Sequence, residues 1–362
     1  MRTCTRCIMN DSADPTITFD ENGCCNYCTD ALAKINTTAY FPNEEGEKRL
    51  HALLEQVKKS GEGKPYDCIM GISGGLDSAY LAYLGCTWGL RILAVHVDDG
   101  YDTDVSKENV RKLVEKAGIK MITVTPDAEQ YNALLLAYMR AGVPNLAVPQ
   151  DNILLKCLFD AVKEYKIPYF LSGDNFALEC VLQRGNTYQS MDVVNIRDIH
   201  KRFGTQPINK LKFISAYEKY YSTRVAGMHL EKPLNYIDYN RERAFRELKE
   251  FCGFEYYGRK HLENKFTAFL QLRWLPEKFG VDKRLSHLSS MIVSGQMTRE
   301  EALAEAARPI CEGVPMDEYV AEIKANMHLS DAEFEEIMRA PTHQHTEYKT
   351  DRLDAALRSV LH

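Results

Sequence analysis

The sequence predicts an α/β protein with a doubly wound parallel sheet, and two observations support this fold class. Between residues 66 and 174, short apolar runs rich in β-branched residues alternate with helical stretches, as in parallel sheets covered by helices. The chain of 362 residues is 45% hydrophobic and 27% charged, a balance that supports a sizeable buried core. Strands are predicted at residues 66–72, 91–97, 120–125 and 167–171. We expect the functional site at their carboxyl ends, where such sheets bind ligands.

Helices are predicted from apolar periodicity at residues 43–60, 78–83, 104–117, 128–140 and 151–165. The chain divides into four predicted regions. They are a cysteine-rich module at 1–40, the sheet core at 41–180, a region at 181–299 that completes the site, and a mainly helical C-terminal extension at 300–362. Two capping boxes, Thr298 with Glu301 and Ser330 with Glu333, mark helix starts near or within the extension.

Four cysteines near the N-terminus form two Cys-x-x-Cys pairs, Cys4 with Cys7 and Cys25 with Cys28. This spacing is typical of a zinc ribbon, in which four thiolates hold Zn²⁺ tetrahedrally. An iron–sulfur cluster uses the same four ligands and stays open as the less favoured alternative. A closed site of four cysteines leaves no position for a substrate, so the predicted role of the metal is structural.

The segment Ser-Gly-Gly-Leu-Asp-Ser directly follows the first strand and opens a helix. Gly74 and Gly75 allow the backbone to approach a ligand, and the helix N-terminus favours anions. Ser73 and Ser78 add hydroxyl groups, and Asp77 offers a carboxylate suited to Mg²⁺ bound to phosphates. The motif is neither a Walker A loop nor a Rossmann turn. A plain Gly-Gly turn with an incidental cap is the weaker alternative.

This hexapeptide resembles the PP-loop of the N-type ATP pyrophosphatases, which include synthetases for GMP and NAD and several tRNA-thiolating enzymes. The resemblance implies the adenine-nucleotide alpha-hydrolase-like fold and the cleavage of ATP between its α and β phosphates with Mg²⁺. A substrate carbonyl oxygen would be adenylylated, and a nucleophile would displace AMP. The resemblance also implies that His96, Val97 and Asp98 lie beside the adenine.

Polar side chains follow the fourth strand in the run Ser-Gly-Asp-Asn-Phe-Ala-Leu-Glu. At the carboxyl end of the sheet, Asp174, Asn175 and Glu179 could hold a second metal or the reacting carbonyl. An Asx-type turn followed by a helix cap is an equally good interpretation. Asp174 is also a candidate to orient the substrate or accept a proton.

Charged and aromatic residues alternate between residues 256 and 287. An amphipathic helix over a core is the ordinary interpretation of such a pattern. The functional interpretation is a sugar and phosphate pocket, with Lys283 and Arg284 on phosphate oxygens. His261 and Glu263 are candidate proton acceptors or substrate-orienting groups. The candidate substrate-binding residues here are Lys260, Lys283, Arg284 and His287.

Several stretches are similar to the N-acetyl sugar amidotransferases of surface-polysaccharide (lipopolysaccharide) biosynthesis. The stretches are PQDN, SGDNFALE, LNYIDYNRERA, YYGRKHLENKFTAFLQ, LPEKFGVDKRLSHLSS and SGQMTREEAL. The resemblance runs from Cys4 to about Pro309. It implies conversion of the acetamido group of a nucleotide-linked sugar to an acetamidino group, with ATP and with ammonia from a separate glutaminase subunit. Departures from the family pattern at Asn152, Asp174 and Asn264 leave the sugar unassigned.

The source of ammonia is predicted to lie outside this chain. An N-terminal-nucleophile glutaminase needs a cysteine directly after Met1, where this sequence has Arg2. No other glutaminase pattern is evident in the remaining length. We therefore expect a partner glutaminase or direct use of free ammonia.

Composition limits the other classes of function. The net charge of −6 disfavours a nucleic acid as the main partner, because phosphate contacts supply most non-specific affinity. The longest apolar run, at 133–139, is too short to span a bilayer, and no signal sequence is evident, so we expect a cytoplasmic protein. Two alternatives stay open, a PP-loop sulfur transferase acting on tRNA or a small molecule and a non-catalytic subunit that binds ATP or sugar.

Overall fold

The computed structural model describes residues 1–12 and 14–351, so the last eleven residues of the predicted C-terminal extension lie outside the described part. Its centre is a five-stranded parallel sheet with the strand order β3-β2-β1-β4-β5. The strands are β1 (Cys68–Gly71), β2 (Ile92–Val97), β3 (Lys120–Val124), β4 (Tyr169–Leu171) and β5 (His229–Glu231). The predicted parallel sheet is therefore confirmed.

The chain winds in two directions from the middle of the sheet. It steps outward from β1 to β2 and β3, then returns to the other side of β1 for β4 and β5. Ile69 of β1 consequently pairs with Leu93 on one side and Phe170 on the other. The loops that follow β1 and β4 diverge at this reversal, which opens a crevice at the carboxyl ends of the two strands.

Helices surround the sheet and form the C-terminal half of the chain. The first eight are α1 (Asn26–Leu32), α2 (Glu44–Ser60), α3 (Leu76–Thr87), α4 (Asp104–Ala117), α5 (Ala128–Ala141), α6 (Val148–Tyr165), α7 (Phe176–Glu179) and α8 (Val193–Phe203). The others are α9 (Ala216–Arg224), α10 (Arg241–Cys252), α11 (Lys265–Phe269), α12 (Leu275–Phe279), α13 (Arg284–Val293), α14 (Arg299–Ala306), α15 (Met316–Asn326) and α16 (Asp331–Arg339). A π-helical turn, Leu270–Trp274, joins α11 to α12.

Alternate residues of β1 enter two hydrophobic cores, one on each face of the sheet. Cys68 and Met70 pack with residues of α2, α3, α4 and α10. Ile69 packs on the opposite face with Leu158 and Phe159 of α6. A strand buried on both faces is what a doubly wound sheet requires. A third core joins α5 and α8 to α11, α15 and α16.

The cysteine-rich module shares the first of these cores. Cys4, Cys7, Cys25 and Cys28 belong to the same buried cluster as Met70 of the sheet. The module is therefore packed against the sheet core, and the predicted boundary at residue 40 does not separate two hydrophobic cores.

Most predicted helices agree with the structure, and the differences have local causes. The helix predicted from residue 78 begins at Leu76, because the loop ends at Gly75. The helix predicted from residue 151 begins at Val148, since Pro149 is tolerated in a first turn, where its missing N–H has no partner to lose. Both predicted capping boxes are present, at the starts of α14 and α16.

Strand β5 was not predicted. It has three residues and lies at the edge of the sheet, in a region of weak periodicity. None of the helices in the described part of the chain combines the length and the apolar character needed to cross a bilayer.

Candidate active site

A cavity of about 470 Å³ lies at the carboxyl ends of β1 and β4. Its walls come from the loop after β1, the segments after β2 and β4, the start of α6, and residues 257–283. The predicted site residues that line it are Ser73, Gly75, Asp77, Ser78, Val97, Asp174, Glu179, Lys260, His261, Glu263 and Lys283. Residues separated by more than 200 positions in the sequence thus meet at the crevice that the strand order creates.

The loop between β1 and α3 has a conformation that requires glycine. Gly74 has φ of +81°, and a Cβ atom there would lie 2.0 Å from Oγ of Ser106. The Gly75 N–H donates to Ser73 Oγ at 3.2 Å, and the hydroxyls of Ser73 and Ser78 are also 3.2 Å apart. The loop therefore presents two hydroxyl groups and the N-terminus of a twelve-residue helix to the cavity, a suitable arrangement for an anion.

Asp77 and Lys260 form a buried ion pair in the cavity. Lys260 Nζ lies 2.6 Å from Asp77 Oδ2 and 3.0 Å from Glu179 Oε1. Burial opposes the charge of Asp77, but Lys260 and the hydroxyl of Tyr239 outweigh it and hold the pKa of Asp77 below its usual range. Burial likewise opposes the charge of Lys260, but the two carboxylates raise its pKa. Asp77 and Lys260 are both ionised at neutral pH.

Two tyrosines that the sequence did not mark as site residues hold the loop and the start of α3. The Tyr239 hydroxyl donates to Asp77 Oδ1, and the Tyr257 hydroxyl accepts from the Leu76 N–H at 2.8 Å. Both tyrosines lie in stretches that carry the family resemblance. The sequence did not indicate that they would contact Asp77 and Leu76, because these residues are far away along the chain. Since Leu76 is the first residue of α3, Tyr257 satisfies one of the free N–H groups of that helix end.

Glu263 is a buried carboxylate without a partner for one of its oxygens. Its side chain is 13% exposed, and among the described residues Oε2 has no hydrogen-bond partner. Burial raises the pKa of Glu263 to about 7. A Cβ atom on Gly75 would lie 2.7 Å from Glu263 Oε1, so this carboxylate lies directly against the loop.

His261 lies next to Glu263 and has a strained backbone. Its φ of +65° places a non-glycine residue in the left-handed region, a conformation that costs energy and recurs at functional sites. Its ring nitrogens are 3.9 Å from Glu179 and 4.0 Å from Glu263. Partial burial and the charge of Lys260 lower the pKa of His261, so its imidazole is neutral at pH 7.

Of the three residues predicted beside the adenine, only Val97 lines the cavity. The His96 ring is buried, with Nδ1 2.8 Å from the carbonyl oxygen of Ile72 and Nε2 3.2 Å from Asp102 Oδ2. Asp98 accepts from the N–H of Gly100. His96 therefore connects the end of β1 to the segment that follows β2.

Asp99, which the sequence analysis did not single out, lines the cavity beside Val97. Its carboxylate accepts from Gln150 Nε2 at 2.7 Å, from the Tyr131 hydroxyl at 3.1 Å and from Asn264 Nδ2 at 3.1 Å. Burial raises the pKa of Asp99. Asn264, one of the departures from the family pattern, thus orients this carboxylate, whereas buried Asn152 bonds to backbone groups away from the cavity.

Of the three site residues predicted in the segment after β4, two line the cavity and one does not. Glu179 and Asp174 line the cavity, and Asp174 forms an ion pair with Lys232 at 3.2 Å. Asn175 is buried and accepts from the Leu178 N–H at 2.9 Å, which confirms the helix-cap interpretation for this residue.

Lys283, Arg284 and His287 were all predicted to bind substrate, but the structure places them in different surroundings. The Lys283 ammonium lines the cavity and, among the described residues, has no hydrogen bond or ion pair; burial lowers its pKa to about 8. Arg284 instead pairs with Asp282 at 2.7 Å and donates to backbone carbonyls. The His287 ring lies behind His261, with centroids 5.3 Å apart. Lys283 is therefore the cation available to an anionic ligand.

Acidic groups outnumber basic groups along the cavity. Lys260 and Lys283 are the lysines that line it, and no arginine of the described residues does so. The carboxylates that line it are Asp77, Asp99, Asp102, Asp151, Asp174, Glu179 and Glu263. A divalent cation would offset this charge for a phosphate-bearing ligand, and Asp77 is the loop carboxylate suited to hold one.

The four predicted metal ligands converge outside the cavity. Cys4, Cys7, Cys25 and Cys28 are all buried, and their sulfur atoms lie within 4.8 Å of one another. The Cys4–Cys28 and Cys7–Cys25 sulfur separations are 3.7 and 3.5 Å. A tetrahedron with Zn–S bonds of about 2.3 Å has edges of roughly 3.8 Å, so the four thiols fit a single ion.

All eleven cysteines of the chain lie in its described part, and none of them lines the cavity. Cys180, the thiol next to Glu179, faces the carbonyl oxygen of Ser290 at 3.9 Å. The described cavity wall therefore contains no thiol.

Residues 263–360 match the family model described as LPS biosynthesis protein WbpG-like, C-terminal domain. The matched segment contains Glu263, Lys283 and helices α11 to α16, and its last nine residues lie outside the described part of the chain. No curated protein matches the chain.

Three solved structures are similar to the chain at low identity. The NMN synthetase from Francisella tularensis is 13% identical, with a TM-score of 0.38, over 79% of this chain and 97% of that one. The U34-tRNA thiolase NcsA from Methanococcus maripaludis, with its [4Fe-4S] cluster, is 16% identical, with a TM-score of 0.35, over 87% and 92%. The NH3-dependent NAD synthetase from Campylobacter jejuni subsp. jejuni NCTC 11168, in complex with the nitrate ion, is 16% identical, with a TM-score of 0.30, over 70% and 97%.

Proposed function

We propose that this protein is an ATP-dependent amidotransferase that converts the acetamido group of a nucleotide-linked N-acetyl sugar to an acetamidino group. The observation that carries the proposal is the cavity at the end of β1. There a glycine-dependent anion loop lies against a charged Asp77–Lys260 pair and the unpaired groups of Glu263 and Lys283. The match of residues 263–360 to WbpG-like lipopolysaccharide-biosynthesis proteins supports a surface-polysaccharide sugar as the substrate.

The proposed reaction has two steps. The amide oxygen of the sugar attacks the α-phosphorus of ATP, the bond to the bridging oxygen breaks, and pyrophosphate leaves. Ammonia then forms a bond to the activated carbon and loses a proton, and the carbon–oxygen bond breaks to release AMP. AMP carries away the original amide oxygen, so the sum is amide, ATP and ammonia to amidine, AMP and pyrophosphate. Activation is needed because an amide oxygen is otherwise a poor leaving group.

The residues of the cavity have distinct roles in this proposal. Ser73, Ser78 and the N-terminus of α3 hold the departing pyrophosphate. Asp77 would hold Mg²⁺, which would neutralise phosphate charge. Lys260 stabilises charge that develops on the phosphates. Lys283 pairs with an anionic group of the nucleotide-linked sugar.

The ammonia comes from a separate glutaminase subunit or from solution, and the protein acts in the cytoplasm. The four-cysteine site holds Zn²⁺ in a structural role, since its ligands are buried and its sulfur separations suit one ion.

The decisive experiment follows the amide oxygen. The protein is incubated with ATP, Mg²⁺, ammonium and a panel of nucleotide-linked sugars whose acetamido oxygen is ¹⁸O. We expect a sugar product in which oxygen is replaced by NH, and AMP that contains the label. Glu255→Gln, an exposed carboxylate change outside the cavity, is the control and should not alter turnover.

Other outcomes would replace the proposal. A product that gains sulfur from a sulfur donor would assign the protein to the thiolating enzymes. Tight binding of ATP or sugar without pyrophosphate release would assign a non-catalytic binding role. AMP without the label would exclude attack by the amide oxygen.

A further inference from the structure

The cysteine module directly contacts a turn that borders the cavity. Cys25 caps the N-terminus of helix α1 and Cys28 lies within the helix, with Tyr27 between them in the sequence. The Tyr27 side chain is buried, and its hydroxyl donates to Asp14 Oδ2 at 2.5 Å. The same hydroxyl accepts from the backbone N–H of Arg184 at 3.0 Å. One side chain of the module thus holds the backbone at residue 184.

The turn that begins at Arg184 supplies part of the cavity wall. Arg184–Asn186 forms a short 3₁₀ helix, and Asn186 and Thr187 line the cavity. The Arg184 guanidinium also pairs with Asp30 of α1 at 2.9 Å. A Cβ atom on Gly185 would lie 2.7 Å from Asp14 Oδ1, so the turn packs closely against the module.

A second set of contacts joins the module to α13 and α14, the helices that follow Lys283. The Ile8 N–H donates to Ser289 Oγ at 3.3 Å, and Ser289 lies on α13, the helix that follows Lys283. Arg299 of α14 donates to the carbonyl oxygens of Cys4 and Cys7 at 3.0 and 3.1 Å. The module therefore contacts both the turn at 184–187 and the helix that follows Lys283, two segments that border the cavity.

We propose that the four-cysteine metal centre positions the substrate end of the cavity, and that Tyr27 is the residue that transmits its position to the turn at 184–187. Metal binding at a site of this kind contributes to folding, so loss of the metal releases α1. Tyr27 moves with its two neighbouring ligands, and the turn then loses its backbone hydrogen bond and its packing. The loop between β1 and α3 keeps its contacts, because they come from Tyr239, Tyr257 and α4.

Trypsin tests this inference without any substrate, since it cleaves after Arg184. Removal of the metal with a chelator should speed cleavage at Arg184 by at least about tenfold, as expected for loss of one buried hydrogen bond and its packing. Cleavage at exposed Arg224, at the end of α9, should keep its rate. Hydrogen exchange of the β2 amides should also stay slow, which separates local release from global unfolding.

The variant Tyr27→Phe tests the positioning role in the metal-loaded protein. It should retain its metal content, raise the KM for the sugar about tenfold, and leave kcat and the KM for ATP within about twofold. Tyr217→Phe, an exposed hydroxyl deletion on α9, is the matched control and should change none of these values.

The proteolysis experiment and the kinetic experiment can each contradict the inference. Continued protection of Arg184 after metal removal would overturn the inference, as would a Tyr27→Phe variant in which both KM values rise together or neither rises. The kinetic arm rests on the proposed function. If no sugar is converted, that function is wrong, and the proteolysis and exchange results still decide the positioning role.

Discussion

At the scale of single residues, the chemistry of the cavity depends on a few charges that burial keeps apart from water. Asp77 and Lys260 stay ionised because each is the partner of the other, whereas Glu263 has no cation in hydrogen-bond contact. Sequence alone could identify Asp77, because its motif is contiguous. It could not identify Tyr239, whose contact with Asp77 spans 162 positions.

Replacement of Asp77 by Asn should lower pyrophosphate release by at least about 100-fold, the usual effect of removing one charged stabilising group from an active site. The substitution keeps the shape but removes the charge that pairs with Lys260. The rate of pyrophosphate release under saturating ATP measures the effect, with Glu255→Gln as the control. A variant with wild-type release would show that the loop does not bind the phosphates.

Glu263 should make the stability of the protein depend on pH. Because burial raises its pKa from about 4.5 to about 7, folding favours the protonated form, and this contribution to stability is lost as pH rises through 7. The variant Glu263→Gln cannot ionise. Its free energy of unfolding relative to wild type should therefore increase between pH 4.5 and 7, by up to about 3 kcal/mol. Denaturant titrations at several pH values measure this, and a constant difference would contradict the raised pKa.

At the scale of elements, the buried strands were predictable and the edge strand was not. The strands β1 to β4 are apolar runs between turn signals, whereas β5 is a three-residue edge strand formed by pairing with β4. The loop after β1 was predictable for the same reason as Asp77, because its glycines are adjacent in sequence. The charged residues around 257–284 could not be assigned from their pattern. Some of them, such as Lys283, line the cavity, whereas others, such as Arg284, pair with residues outside it.

The loop offers a matched pair of glycine substitutions. Gly74→Ala should abolish pyrophosphate release, because the new Cβ would lie 2.0 Å from Ser106 Oγ in a backbone with positive φ. Gly100→Ala has the same backbone strain, with φ of +85°, but nothing lies within 4 Å of its Cβ. Both should lower the Tm by a few degrees. Equal activity in the two variants would mean that the close approach at Gly74 has no role.

At the scale of the whole molecule, the metal module and the sheet share one hydrophobic core, so metal loss should affect more than the module itself. We expect one metal ion per chain and a lower Tm after chelation, since binding energy in such sites contributes to folding. Elemental analysis and thermal unfolding measure the two quantities. Four iron atoms per chain would identify a cluster in place of Zn²⁺. An unchanged Tm would show that the core holds the module without metal.

The excess of carboxylates around the cavity has a consequence for the end of the catalytic cycle. The acetamido group of the substrate is neutral, whereas the acetamidino group of the product is protonated at neutral pH and carries a positive charge. Seven acidic side chains and two lysines border the space in which that cation is formed. Under the proposed function, the acidic walls attract the acetamidino group more strongly than the acetamido group, which slows release of the product. Added salt, by screening this attraction, would then accelerate turnover.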